Sequence, residues 1–95
     1  MILSFGDKTT EDLFNGIGSK STRVFQTILK VVRRKPDMIN TARRLADLMS
    51  PPNNRLELLK GTLKGFYCIR VNDQYRIIFK WQNGNAHEVQ ITDYH

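Results

Sequence analysis

The sequence lacks most features of exported, membrane-bound or metal-binding proteins. Cys68 is its only cysteine, which excludes an intramolecular disulfide and any metal site built on paired thiolates. No stretch approaches the roughly 20 apolar residues that span a bilayer, and the apolar run at residues 1–5 is too short for a signal peptide. Repeats and low-complexity tracts are also missing. These absences predict a cytoplasmic protein that works in a reducing compartment without a membrane, a metal or another cofactor.

Acidic residues are scarce relative to basic ones. Fifteen Lys and Arg against nine Asp and Glu give a formal charge of +6 and a pI near 9.8, so a polyanion such as a nucleic acid is the expected partner. No acidic residue lies between Asp12 and Asp37, a segment that contains a succession of basic ones: Lys20, Arg23, Lys30, Arg33, Arg34 and Lys35. We interpret this segment as an electrostatic surface, although a basic face that serves only solubility would show the same pattern.

The length of 95 residues allows a single domain that covers residues 1–95. Its first half has the spacing of helices. After a short β-prone segment at residues 2–5, Asp7 and the two threonines that follow it can cap a helix that begins near Glu11 and is stopped at Gly16.

A second and longer helix is predicted after residues 19–21, because apolar residues recur there at the spacing of one helical face: Val24, Phe25, Ile28, Leu29 and Val32. Pro36 cannot donate a backbone hydrogen bond, so this helix is expected to break or kink near Lys35. A roughly helical spacing continues over residues 38–49, and a loop follows at residues 50–54.

The second half of the chain alternates between apolar and polar residues, as strands do. Strands are predicted at residues 56–59, 66–71, 75–81 and 86–91, and Asn83 with Gly84 suits the tight turn of the last hairpin. The expected fold class is therefore α+β, with an N-terminal strand and two to three helices packed on an antiparallel sheet.

The loop after Val71 decides which side chains share a face of this sheet. A two-residue loop would pair Ile69 with Arg76 and mix a core residue with a charge. A three-residue loop pairs Val71 with Tyr75, Arg70 with Arg76 and Ile69 with Ile77, so that one face is apolar throughout, and we prefer this register. It places two arginines side by side on the other face, where their repulsion calls for an anion between them unless the side chains splay apart.

Three segments carry a family resemblance: "NRLELLKG" from Asn54, "GFYCIRVNDQYRIIFKW" from Gly65, and the terminal "AHEVQITDYH". Together with the opening "ILSF" they resemble the HigB toxins, a branch of the RelE and ParE superfamily. The resemblance implies a RelE-like microbial ribonuclease fold and the toxin of a type II toxin–antitoxin system. It also implies a metal-independent endoribonuclease that cuts messenger RNA in the decoding site of the ribosome, and a HigA-type helix-turn-helix antitoxin as partner.

Carried over residue by residue, the resemblance implies an active site composed of Lys60, Arg76, Asp93, Tyr94 and His95. RNA supplies its own nucleophile, the 2′-hydroxyl, so the enzyme needs to position it, move protons and stabilise negative charge. A guanidinium at Arg76 matches two phosphate oxygens, and Lys60 adds a second positive charge. His95 can exchange a proton near neutrality, while Asp93 orients it or a nucleotide.

Two questions about the site stay open in the sequence. Tyr94 can stack on a base or, with a lowered pKa, act as the proton acceptor. Many relatives have a histidine where this chain has Glu57, so either that position is dispensable or the C-terminal residues carry more of the proton transfer. Contacts with RNA and the ribosome are predicted for Arg23, Lys30, Arg33, Arg34, Lys35 and Arg70.

Two other functions fit the same fold and charge. One is a ParE-like toxin that poisons DNA gyrase without nuclease chemistry. The other is an RNA-binding module that holds phosphates without turnover. The terminal "DYH" together with Lys60 favours the nuclease.

Overall fold

The protein, described by a computed structural model that covers residues 1–93, has one layer of helices packed on one face of an antiparallel sheet. The α-helices are α1 (Lys8–Asn15) and α2 (Leu29–Thr41). The strands are β1 (Glu57–Leu58), β2 (Tyr67–Arg70), β3 (Tyr75–Gln82) and β4 (Asn85–Asp93), which lie in the order β1-β2-β3-β4. The α+β architecture predicted from the sequence is confirmed.

Helix α1 is held at both ends by the capping groups that the sequence offers. Asp7 is the N-cap, and its carboxylate accepts a hydrogen bond from the backbone of Thr10 at 2.8 Å. Gly16 ends the helix in the left-handed conformation, which glycine adopts at little cost. The Thr10 hydroxyl accepts a hydrogen bond from the backbone N–H of Ile91 at 2.9 Å, which fastens this helix to β4.

The expected break at Pro36 is wrong, because α2 runs through this proline without interruption. The change of backbone conformation occurs earlier, at Ile28, where a 3-10 helix (Arg23–Ile28) gives way to the α-helix. Pro36 is fully buried. The packing of its ring offsets the backbone hydrogen bond that it cannot donate.

The helical spacing predicted over residues 38–49 is divided between two elements. α2 ends at Thr41, and a 3-10 helix (Leu45–Met49) follows. The carboxylate of Asp47 accepts hydrogen bonds from the backbone of Arg43 and Arg44 at 3.0 and 3.1 Å, and these bonds lower the pKa of that carboxyl. A further 3-10 helix (Pro52–Asn54) lies in the predicted loop and leads to the sheet.

The register of the sheet is the one that the three-residue loop predicts. Ile69 pairs with Ile77 and Arg70 with Arg76, while the backbone of Val71 donates to the carbonyl of Tyr75 at 3.0 Å. A bulge interrupts the pairing of β3 with β4 after Ile78, beside Glu88, which has a positive φ of 53°.

The core lies between the helices and the apolar face of the sheet. Buried residues from both layers meet there: Leu13, Phe25, Val32, Ile39, Ala42, Leu48, Ile69, Ile77, Phe79, Ala86, Val89 and Ile91. Tyr75 and Trp81 of β3 are partly buried and pack against this cluster. Within residues 1–93, no helix is both long and apolar enough to cross a membrane.

The first six residues extend the sheet beyond β4. Ile2 and Phe5 form parallel bridges with Ala86 and Val89, so the predicted N-terminal strand is an extended segment held by isolated pairs. The backbone of Gly6 donates to the carbonyl of Val89 at 2.8 Å. A Cβ atom at Gly6 would lie 2.7 Å from Gln90 Oε1, 3.1 Å from Gln90 Cβ and 3.2 Å from the carbonyl oxygen of Glu88. A larger residue at this position would displace the Gln90 side chain and crowd the backbone oxygen of Glu88.

We expect Gly6→Ala to lower the free energy of unfolding by roughly 1–3 kcal/mol, the usual cost of overpacking. The backbone oxygen of Glu88 cannot move away without disturbing the bulge. Urea denaturation followed by circular dichroism measures the change. Gly18→Ala is the matched control, since nothing lies within 4 Å of a Cβ at that position. Equal stability of the two variants would contradict the prediction.

Candidate active site

The sheet face opposite the helices, which we call the open face, carries two cross-strand rows of side chains. The strand pairing defines the first row as Glu57, Cys68, Ile78 and Gln90. The second row contains Arg70, Arg76 and Thr92. Successive residues of a strand point to opposite faces, so residues two positions apart share this face. The rows place Arg76 next to Thr92 and one row away from Glu57.

Cys68 lies between a carboxylate and a guanidinium at the centre of this face. The residue is 1% exposed, and its thiol donates a hydrogen bond to Glu57 Oε1 at 3.7 Å, while the side chain of Arg76 also interacts with it. Burial raises the pKa of the Cys68 thiol from 9.0 to about 11, and the charge of Glu57 acts in the same direction. Arg76 acts in the opposite direction. The thiol is therefore protonated at neutral pH and links Glu57 to Arg76.

We expect native Cys68 to resist alkylation. A pKa raised from 9.0 to about 11 lowers the thiolate fraction near neutral pH by about 100-fold, and burial of the sulfur slows the reaction further. The same shift predicts that stability present below about pH 9 is lost as the pH rises through about 11. Iodoacetamide labelling followed by mass spectrometry, with urea-unfolded protein as control, measures the first effect. Equally fast labelling of folded and unfolded protein would be incompatible with this environment.

The two arginines that face each other across β2 and β3 turn to different partners. Arg70 donates from Nε to the carbonyl of Asn72 at 3.1 Å and forms an ion pair with Asp73. Arg76 instead lies against Cys68. Their repulsion is therefore relieved by separate contacts rather than by one shared anion. Thr92 Oγ1, in the same row, is buried and has no hydrogen-bond partner within the part of the chain that the structure describes.

Lys60, one of the predicted site residues, is exposed, and its backbone begins the 3-10 turn Gly61–Leu63 that follows β1. Its place in the active site stays a prediction.

The predicted C-terminal site residues are only partly described. Asp93 pairs with Tyr75 on β3 and so points to the face that carries the core, opposite Arg76. Its Oδ2 accepts a hydrogen bond from Gln74 Nε2 at 3.2 Å. Tyr94 and His95 lie outside the described residues.

Among the predicted RNA contacts, Lys35 differs from the others. The exposed ones are Arg23, Lys30, Arg33 and Arg34. Lys35 is only 4% exposed, and its ammonium donates a hydrogen bond to Asn54 Oδ1. Burial and, second, the charge of Arg34 lower the pKa of Lys35. In the sequence, Lys35 cannot be distinguished from the basic residues that precede it. Successive side chains of a helix point in different directions, however, and that of Lys35 points inward.

Glu57 is the residue at this site to which the sequence had assigned no role. Its carboxylate is the group that the sheet brings to the thiol beside Arg76. The alternating pattern of β1 and β2 indicates which residues of one strand share a face. It does not reveal which residues of the two strands pair, so it could not place Glu57 beside Cys68. Chemically, the pair provides a cation that matches phosphate oxygens and a carboxylate that can accept a proton. No group of three metal-ligating side chains suited to a metal ion occurs among residues 1–93.

Comparison with known proteins places this geometry in a family context. Residues 3–95 match the family described as the RelE-like toxin HigB of type II toxin–antitoxin systems. The chain is 40% identical to Toxin HigB-1 of Vibrio cholerae over 86 residues, which cover 90% of each protein. An uncharacterised protein of Haemophilus influenzae is 38% identical over 78 residues, 82% of this chain and 77% of that protein. Among solved structures, a YoeB–YefM complex from Staphylococcus aureus contains a similar fold, with a TM-score of 0.58, 15% identity, and coverage of 100% of this chain and 98% of that one.

Proposed function

This chain belongs to the family of RelE-like HigB toxins of type II toxin–antitoxin systems, and from that premise we propose that it is an endoribonuclease that cuts messenger RNA on the ribosome. The observation that carries the proposal is the open face, where Arg76 lies one row from the carboxylate of Glu57. A net charge of +6 favours an RNA substrate. The protein then works in the cytoplasm, where ribosomes are.

The proposed reaction uses the oxygen of the substrate as nucleophile. A base removes the proton of the 2′-hydroxyl, the 2′-oxygen bonds to the adjacent phosphorus, and the bond to the 5′-oxygen breaks as that oxygen takes up a proton. The products are a 2′,3′-cyclic phosphate and a 5′-hydroxyl. The chain needs to align the reacting atoms and stabilise the charge of the pentacoordinate phosphorus.

We assign the stabilisation of this charge to Arg76, whose guanidinium can donate to two phosphate oxygens at once. Glu57 is a proton acceptor on the same face. His95 and Tyr94 supply the remaining proton transfer or stack on a base, with Asp93 to orient them, as the resemblance implies. We assign to Lys60 a second positive charge at the same phosphate, as the resemblance implies.

A cleavage assay tests the proposal. Purified protein is incubated with message alone and with ribosomes engaged on the same message, and primer extension locates the ends. We expect cuts at defined positions only when ribosomes are present. Ribosome binding without cuts would instead indicate an RNA-binding module, and inhibition of purified gyrase without cuts would indicate a ParE-like toxin.

We further propose a HigA-type helix-turn-helix antitoxin as the inhibitory partner. The support is the family itself and the similar folds solved in complexes of the YoeB–YefM toxin–antitoxin pair. Expression of this chain alone should arrest growth, and co-expression of the product of an adjacent gene should relieve the arrest. Harmless expression of the intact chain would count against toxicity.

A further inference from the structure

A cleft of about 270 Å³ lies beside the proposed active site, between α2 and the turn that joins β2 to β3. Three cationic residues line it, namely Arg34, Lys35 and Arg70, together with the amide side chains Asn53 and Asn72. We infer that this cleft is a subsite for a backbone phosphate of the RNA strand, separate from the phosphate that is cut. The identity of the strand as RNA rests on the proposed function, whereas the affinity for phosphate does not.

The cleft concentrates positive charge in a partly enclosed space. Arg34 is exposed, while Lys35 is 4% exposed and held by Asn54. The side chain of Arg70 is 24% exposed. Like charges this close repel one another, and both the burial of Lys35 and the charge of Arg34 lower the pKa of Lys35. An anion in the cleft relieves this repulsion, and guanidinium groups beside an ammonium suit the several oxygens of a phosphate.

The position of Arg70 connects the cleft to the open face. Arg70 lines the cleft and is also the cross-strand partner of Arg76. A nucleic-acid strand carries a phosphate at each nucleotide, so one strand can occupy Arg76 and the cleft at the same time. Because the cleft continues from the face to which the RNA substrate is assigned, we take RNA rather than an acidic peptide as its occupant.

The chain also contains a competitor for this phosphate. Asp73 forms an ion pair with Arg70, and its side chain is 97% exposed. An exposed ion pair of this kind contributes little stability, so an incoming phosphate can displace the carboxylate at low cost. Removal of the Asp73 charge should therefore increase the affinity for phosphate. Most substitutions in a binding site lower the affinity instead.

The test is a titration of the full-length protein with inorganic phosphate, at constant ionic strength, followed by proton–nitrogen correlation spectra. We expect the largest shifts at the backbone amides of Lys35, Asn53, Arg70 and Asn72. Arg34→Gln should weaken the apparent affinity by about threefold and Asp73→Asn should strengthen it by about threefold, as expected for partly exposed charge pairs. Arg43→Gln is the matched control, because Arg43 is exposed and does not line the cleft.

A second measurement uses a single-stranded oligonucleotide. The slope of log affinity against log salt concentration should decrease by about 0.7 in Arg34→Gln, the value of one lost phosphate contact, and should not change in Arg43→Gln. Shifts spread over all basic residues, or equal effects of the two substitutions, would overturn the inference. Preferential binding of poly-glutamate over phosphate and RNA would assign the cleft to a protein partner and overturn it as well.

These outcomes are separable from the failure of the proposed function. Phosphate binding in the cleft without any RNA cleavage would refute the nuclease while the phosphate site stands. Cleavage by the unchanged protein with no response of the cleft to phosphate or oligonucleotide would refute the subsite alone.

Discussion

A message with deoxyribose at the cut position should remain intact when it is incubated with this protein and translating ribosomes. The proposed chemistry draws its nucleophile from the 2′-hydroxyl, so its removal leaves no atom to attack the phosphorus. We expect the loss of all detectable cleavage at that position, a larger effect than any single substitution in the protein should cause. Primer extension on a message with a single deoxyribose substitution measures it.

The same message provides its own control. Cuts at unmodified codons elsewhere in the strand show that the ribosomes are engaged and that the protein is active. Equal cleavage at the modified position would mean that water or a protein side chain attacks the phosphate. The role assigned to the open face would then be wrong, although membership of the family would be unaffected.

Replacement of Arg76 by alanine should reduce the rate of cleavage by about 10²–10³-fold, the usual cost of removing a group that stabilises developing charge. The guanidinium is the cation that the sheet positions next to Thr92, with the Cys68 thiol between it and Glu57. Single-turnover cleavage on saturating ribosomes measures the chemical step, and co-sedimentation with ribosomes measures binding. We expect binding to be largely kept, since many other basic residues remain.

Two further variants make this result specific to Arg76. Arg76→Lys keeps the charge but loses the planar pair of donors, so it should recover only part of the rate. Arg43→Ala removes an exposed arginine elsewhere and should leave the rate unchanged. Circular dichroism establishes that each variant is folded. A folded Arg76→Ala protein that cleaves at the normal rate would contradict the assignment.

The sheet could be predicted from the sequence because its register follows from alternation. A mismatch of Ile69 with Arg76 would have placed a charge in the core, and the observed pairing of Ile69 with Ile77 avoids it. The caps of α1 could also be predicted, because the hydrogen bonds of Asp7 and Gly16 involve residues only a few positions away in the sequence. The residue preferences of helix caps and the two-residue alternation of strands were sufficient to predict these elements.

The features that were not predicted depend on contacts between distant residues. Pro36 stays within a helix because tertiary packing buries it, and Lys35 turns inward to Asn54, 19 residues away. The link from Glu57 to Arg76 required the pairing of β1 with β2. For the site, Arg76 and Arg70 could be placed on one face in advance. Asp93 could not, because its face depends on the bulge in β4.

The parallel pairing of the N-terminal segment with β4 bears on how the protein is made. The hydroxyl of Ser4 accepts a hydrogen bond from the backbone of Glu88, 84 residues further along the chain. A polypeptide is synthesised from its N-terminus, so residues 2–5 wait for partners that are synthesised long after them. The hairpins can form while the chain grows, but the border of the sheet closes only after Ala86 and Val89 have left the exit tunnel. The pairing thus joins the first and the last described elements of the fold in one late step.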